Sequence, residues 1–148
     1  EVVALASPKS HAHLQSLGAS HCVDYNAADW ETSFGSVDAI IDTVGSEVYR
    51  KSWRSLRQGG TMVTVADPPP PWAFNSGKPD ELKANPEAKF VYFIVTASGE
   101  NLGKTTTLFD SGLLKPLPVV EFAAEKALEA WAYAGQRGKA GKAVIQYS

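Results

Sequence analysis

Apolar and polar positions along this chain switch between the period of a strand and the period of a helix. Residues 2–6 are a short, wholly apolar run, the pattern of a strand buried on both faces, and Ser7-Pro8 stops it. Residues 10–17 read as a helix with Leu14 and Leu17 on one face, ended by Gly18. Residues 21–25 read as a second strand. Residues 26–35 are polar except for Trp30 and Phe34, and read as a loose helical turn. Val37-Asp-Ala-Ile-Ile-Asp42 is a strong strand, followed by the turn Thr43-Val44-Gly45-Ser46. Ser46 is the expected N-cap of a helix running to Arg57, with Val48, Ser52, Trp53 and Leu56 at helical spacing. Gly59-Gly60 is expected to end it, and residues 61–66 form the next apolar strand.

Residues 67–88 break this rhythm. Pro68 to Pro71 are consecutive prolines, and Trp72, Gly77, Pro79 and Pro86 follow. A sheet interior does not accept such a run, so a proline-rich surface loop is expected at 67–88. The rhythm then resumes with a strand at 89–97, a helix at 100–111 with Gly112 as its C′ residue, and a strand at 117–122. A helix at 123–134 carries Ala127, Ala130, Trp131 and Ala134, and a last strand covers 142–147. This alternation predicts an α/β fold: a mainly parallel sheet with helices on both faces. Such sheets place ligands at the carboxyl ends of their strands. The loops beginning at Ser7, Tyr25, Thr43, Ala66 and Val95 are therefore the ones to examine.

Composition narrows the function classes. The 148 residues are enough for one domain with a real core. Fourteen Lys and Arg against sixteen Asp and Glu give a formal charge of −2, so there is no basic field for nucleic acid or an anionic membrane. The single Cys22 excludes an internal disulfide and a multi-Cys zinc module. No apolar run approaches the ~20 residues of a membrane span. Glu1 is not an initiator Met, no basic n-region precedes the first apolar run, and the chain opens inside a strand. It therefore reads as a fragment or an excised domain.

Three motifs could carry chemistry. Ser98-Gly99-Glu100-Asn101-Leu102-Gly103-Lys104-Thr105 resembles a phosphate-binding P-loop, with Ser98 where the first Gly belongs. Gly135, Gly138 and Gly141 are evenly spaced, but a helix precedes them and a strand follows, the reverse of a dinucleotide fingerprint. Arg137, Lys139 and Lys142 make that loop basic. His11, His13, His21 and Cys22 lack metal-ligand spacing, so no metal is expected. Asp38 and Asp42 lie on one face of a strand, and an acid at a strand end is commonly a capping or loop residue. The loop after the first strand carries Ser7 and Lys9 and no acid, which suits a ribose 2′-phosphate better than a 2′-hydroxyl.

Residues 2–9 and 14–25 resemble the medium-chain dehydrogenase/reductase superfamily. The likeness is strongest to its zinc-independent quinone oxidoreductase and fungal enoyl reductase branches. Val37-Asp-Ala-Ile-Ile-Asp-Thr-Val-Gly45, Leu56-Arg-Gln-Gly-Gly-Thr-Met-Val-Thr64, Leu108-Phe-Asp-Ser-Gly-Leu-Leu-Lys-Pro116 and Gly141-Lys-Ala-Val-Ile145 continue the match in order. Phe93-Ile-Val-Thr-Ala-Ser-Gly99 is also similar to the mitochondrial reticulon-interacting oxidoreductases.

This resemblance implies a Rossmann-like, NADPH-dependent oxidoreductase that moves hydride to a carbonyl, quinone or activated double bond. Ser7 and Lys9 would meet the 2′-phosphate, and Tyr25 would sit beside the adenine-ribose end. Thr43, Val44, Val65 and Ala66 would line the cofactor groove. Phe93, Ile94 and Val95 would approach the nicotinamide. Arg137 would reach the 2′-phosphate from the far side, and Lys142 would lie in the same terminal loop. The resemblance assigns no catalytic residue. The family's first strand and glycine-rich loop would lie before Glu1, so residues 1–148 are expected to be a partial dinucleotide-binding domain, inactive alone. Edge pairing through 89–97 is expected to build a homodimer. The expected compartment is the cytoplasm, with the mitochondrion as the alternative. Two other readings stand beside this one: a non-catalytic interaction module using 68–72 as a polyproline ligand, and a P-loop nucleotide hydrolase.

Overall fold

The computed structural model describes residues 1–66, 79–136 and 138–147. The polyproline segment and Arg137 lie outside the described residues. The chain divides into two compact units, Glu1–Val95 and Thr96–Ser148.

In the first unit, β1 (Val3–Leu5) pairs with β2 (His21–Val23) across α1 (Pro8–Ser16). Pro8 opens α1 because the first helical position needs no amide donor. A second sheet has the order β3-β4-β5, built from β3 (Val37–Asp42), β4 (Leu56–Thr64) and β5 (Lys89–Tyr92). Between β3 and β4 lies α2 (Ser46–Ser52), continued by a short 3-10 turn, Trp53–Ser55. The second unit contains α3 (Gly99–Asp110), β6 (Val119–Ala123), α4 (Ala127–Ala134) and β7 (Lys142–Gln146), with β6 and β7 paired. Every strand pairing is parallel, as the alternation of strand and helix requires.

Several boundaries differ from the sequence reading. Ser46 is not the cap of α2 but its first residue; Gly45 holds the cap position at a φ of 79°, which glycine adopts without strain. The helix ends at Ser52, and β4 starts at Leu56 rather than at residue 61, so Gly59-Gly60 lie inside the strand. Asn85, buried and far along the chain, causes this. Its side-chain oxygen accepts from the Gly59 amide at 3.1 Å and its NH₂ donates to the Arg57 carbonyl at 2.9 Å. A Cβ on Gly60 would stand 2.6 Å from Leu56 Cδ1, so only glycine fits there without moving Leu56. The expected strand at 89–97 also stops early, at Tyr92. The Phe93 amide still donates to the Thr64 carbonyl at 2.9 Å, but β4 ends at Thr64 and offers no further ladder.

The core of the first unit is one row of side chains across the sheet. Ile40, Met62 and Phe90 stand in register on β3, β4 and β5. Trp53, Leu56 and Leu82 close over them, and Met62 is wholly buried. Tyr49 and Trp53 meet edge to face, with centroids 6.1 Å apart, and Trp53 and Phe90 are 6.0 Å apart. The next row in register, Ile41, Val63 and Val91, faces the other way, and Ile41 is 75% exposed.

No described residue stands at hydrogen-bond geometry to the buried Tyr49 hydroxyl, and burial pushes its phenol up to about 12 from 10.0 against the lowering effect of the neighbouring Trp53 indole. The unfolded chain ionises Tyr49 at the lower value, so its contribution to stability is constant below pH 10 and is lost as pH rises from 10 towards 12. Tyr49→Phe removes both the buried hydroxyl and that ionisation. Urea unfolding is expected to show the variant at least as stable as wild type at neutral pH, with a shallower alkaline loss of midpoint.

Candidate functional site

Parallel strands in one sheet bring their carboxyl ends to one side, and three of them do so in the first unit. Thr43 and Val44 follow β3, Val65 and Ala66 follow β4, and Phe93, Ile94 and Val95 follow β5. Asp42 is in register with Thr64, so the exits of β3 and β4 lie one strand spacing apart, about 4.8 Å. The Val65 amide donates to the Asp42 carbonyl at 3.0 Å and fixes that alignment one residue further. The Tyr92 hydroxyl donates to the Ala66 carbonyl at 3.3 Å, which ties β5 to the same place. The side chains at these exits stand in water: Val44 is 62% exposed, Phe93 51% and Val95 80%. The Val44 and Phe93 amides are hydrogen-bonded while their apolar side chains are bare.

A second cluster sits at the carboxyl ends of β1 and β2. Ser7 caps α1 through its carbonyl, which accepts from the Ser10 amide at 2.9 Å; its hydroxyl makes no capping bond. Lys9 is exposed in the first turn of α1 and makes no ion pair among the described residues. Tyr25 is exposed just beyond β2. His11 Nε2 lies 2.9 Å from the Ala6 carbonyl and steadies the loop that carries Ser7. A free hydroxyl and a free cation at one strand exit can receive a phosphate.

Lys142 belongs to the second unit and is the first residue of β7, where its amide donates to the Pro118 carbonyl at 2.8 Å. Lys139, from the same basic loop, donates to the Ala134 carbonyl at 2.7 Å, a cation closing the end of α4. A Cβ on Gly141 would come 2.5 Å from the Pro118 oxygen, so this glycine serves the approach of β6 to β7.

The P-loop-like segment is no loop. Residues 99–110 are helical, Ser98 is the N-cap that accepts from the Asn101 amide at 3.1 Å, and Lys104 pairs with Glu100 at 2.7 Å. Gly103-Lys104-Thr105 therefore cannot wrap a phosphate, which removes the nucleotide-hydrolase reading.

Sequence reasoning set Asp42 aside as an ordinary end-of-strand acid. It is 4% exposed, and its Oδ1 accepts from the Val44 and Gly45 amides at 3.1 and 3.0 Å. Its Oδ2 accepts from the Thr64 hydroxyl at 2.7 Å. The spacing Asp-x-x-Gly after an apolar strand was the available signal. A groove lined by Arg50, Trp53, Arg54, Gln58 and Asn85 opens at the amino end of β4, away from the strand exits. Beside it Arg54 pairs with buried Glu31 at 2.9 Å. Glu31's own backbone amide, and then Arg54, hold its carboxyl below the usual range against the opposing effect of burial.

A family model described as zinc-binding dehydrogenase matches residues 17–145. The chain is 28% identical over 147 residues to 2-methylene-furan-3-one reductase of Solanum lycopersicum, covering 98% of this chain and 33% of that protein. It is 25% identical to the NADPH-dependent alkenal/one oxidoreductase, chloroplastic, of Arabidopsis thaliana, with the same 98% and 33% coverage. Among solved structures, the quinone oxidoreductase from Coxiella burnetii superposes with a TM-score of 0.75 at 24% identity, over 99% of this chain and 45% of that one. The chain thus spans about a third of the length of these curated relatives, at 33%. These findings bear out the α/β fold and the resemblance to quinone and enoyl reductases.

The family's description includes zinc, and the described residues do not fit it. No three of their His, Cys, Asp or Glu side chains cluster to hold a metal ion. His11 faces the Ala6 carbonyl, His21 lies 2.7 Å from Glu1, and Cys22 Sγ donates to the His11 carbonyl. Metal analysis of the purified chain is expected to find far less than one zinc per molecule; one tightly held zinc would overturn this assignment.

Proposed function

The chain belongs to the zinc-binding dehydrogenase family, and on that premise we propose that it is the distal part of an NADPH-dependent oxidoreductase. The reaction proposed is hydride transfer to a carbonyl, quinone or activated double bond. The observation that carries the reading is the alignment of three strand exits, with the side chains of Val44, Val65 and Phe93 exposed and their amides hydrogen-bonded. Open parallel sheets bind nucleotides at such exits. The name of the Arabidopsis relative supports NADPH as the cofactor.

Bound there, the nicotinamide supplies the hydride, and the protein's part is orientation and a shaped groove. Thr43, Val44, Val65 and Ala66 line that groove, and Phe93, Ile94 and Val95 face the nicotinamide. Tyr25 lies against the adenine-ribose end. Ser7 and Lys9 would bind the 2′-phosphate; Arg137 and Lys142 are proposed as further cofactor contacts on the family resemblance alone. Residues 1–148 form part of a dinucleotide-binding domain. No glycine-rich turn joins a strand to a following helix among the described residues, and the chain alone is proposed to bind cofactor weakly and to turn over no substrate. Zinc takes no part, and the proposed compartment is the cytoplasm. No described helix is long and apolar enough to cross a membrane.

Cofactor choice tests the reading. Charge-assisted bonds contribute about 1.5–3 kcal/mol, so Lys9→Ala is expected to weaken NADPH by about tenfold or more and leave NADH unchanged. Equal wild-type affinity for the two cofactors would remove Ser7 and Lys9 from the site.

A second copy of the chain is the proposed partner. β5 stands last in the order β3-β4-β5 among the described strands, and Val91 on it and Phe93 and Val95 just beyond it are apolar and exposed. Soluble proteins blunt such edges with charge or proline, and two-fold pairing covers one without growing a filament. Light scattering at micromolar concentration is expected to find a dimer, and Phe93→Lys a monomer. A monomeric wild type, or a variant that stays dimeric, would rule out this edge.

A further inference from the structure

Asp42 is a buried carboxylate with no cation beside it among the described ion pairs. Burying an unpaired charge is costly, and a turn alone does not need it: an exposed Asn or Ser caps a strand exit at lower cost. What the charge does here is visible in its partners. Oδ1 takes the amides of Val44 and Gly45, the residues that turn the chain out of β3. Oδ2 takes the hydroxyl of Thr64, itself 5% exposed, on β4. Thr64 Oγ1 in turn accepts from the Ala66 amide at 3.3 Å, and its carbonyl accepts from the Phe93 amide at 2.9 Å. One carboxylate thus orders the exits of β3 and β4 directly, and that of β5 through Thr64.

The outer side of the same network is apolar. Val44 and Val65, on the two residues that follow Asp42 and Thr64 most closely in this network, are 62% and 47% exposed. A polar centre is buried in the protein while two valines whose amides Asp42 accepts stand in solvent. That is an unfavourable arrangement for an isolated turn and a useful one beneath a flat ligand, because a preorganised backbone spares the ligand the entropy of ordering it.

We propose that Asp42, acting through Thr64, is a positioning residue: it presets the Thr43–Gly45 turn and the Val65–Ala66 exit as the floor on which the cofactor lies. This rests on the reading that the strand exits hold a nicotinamide cofactor. Asp42 touches no reacting atom. It acts equally on NADPH and NADH, because it sets the floor and not the 2′-phosphate contact.

The test uses Asp42→Ala and Asp42→Asn, with Leu82→Ala as a control that destabilises the core from the 80–83 turn, off the strands that carry the exits. Binding is followed by amide chemical shifts up to millimolar cofactor, and the turn by hydrogen exchange at Val44, Gly45 and Ala66. Asp42→Ala is expected to speed exchange at all three amides and to weaken NADPH and NADH alike by about tenfold, a cost near 1.4 kcal/mol. Asp42→Asn keeps an acceptor for the Val44 and Gly45 amides but puts a donor where Thr64 needs an acceptor, so it is expected to restore slow exchange at Val44 and Gly45, not at Ala66, and to recover the affinity only in part. Leu82→Ala is expected to lower the melting temperature without altering the affinity of the folded fraction. Wild-type affinity in Asp42→Ala, or an equal loss in Leu82→Ala, would overturn the proposal. A wild-type chain that binds neither cofactor at millimolar concentration would instead overturn the cofactor reading on which it stands.

Discussion

Parallel strands cannot be joined by a tight turn, so their register has to be set by what packs on them. In the first unit that register is set by the row Ile40, Met62 and Phe90. Each comes from a separate strand, and each is brought into line by the aromatic cover of Tyr49 and Trp53. A slip of one residue would turn this row to the solvent and bring Ile41, Val63 and Val91 beneath α2. It would also part Asp42 from Thr64. Core and candidate site therefore share a single alignment, read at two heights along the same strands.

The two ends of the sheet solve different problems. At the amino end of β4, Asn85 and Gly60 allow an irregular start: Val37 pairs with Leu56, whereas Ala39 already pairs with Thr61. The extra residues on β4 bulge out, and the Asn85 side chain satisfies the backbone groups that the bulge leaves unpaired. At the carboxyl end, a carboxylate and a hydroxyl tie the strands tightly and leave their apolar residues outside. The register shift among the described pairings lies at the end where no ligand is expected.

Much of this was legible in the residues. The bounds of β3 follow from its apolar run, and the parallel pairing follows from strand–helix alternation. What was not legible depends on distant partners. Gly59-Gly60 reads as a helix stop because the sequence alone gives no sign that Asn85 will hold those residues in a strand. The 89–97 run has strand formers throughout, yet it stops at Tyr92 because its neighbour ends at Thr64. Gly103-Lys104-Thr105 carries a motif's letters, but Ser98 caps a helix through them. Asp42 was seen as a capping acid, which it is; its burial, and hence its weight, comes from Thr64 across the sheet. The rule of carboxyl ends singles out the loops after β3, β4 and β5, and the parallel pairing of these strands puts those loops on one side of the sheet. The polyproline segment and Arg137 lie outside the described residues.

The bare face of the sheet has a consequence for how substitutions are tolerated. Side chains alternate between faces along a strand, so neighbouring positions on β3, β4 and β5 experience opposite surroundings. Ile40, Met62 and Phe90 admit little change of volume. Ile41, Val63 and Val91 accept threonine or another β-branched polar residue at small cost, because water already reaches that side at Ile41 and Val91. A survey of every single substitution would then draw a two-residue rhythm along these strands, sensitive and permissive in turn. Where a binding partner shelters that face, the permissive positions would fall silent, and the rhythm would fade to uniform intolerance.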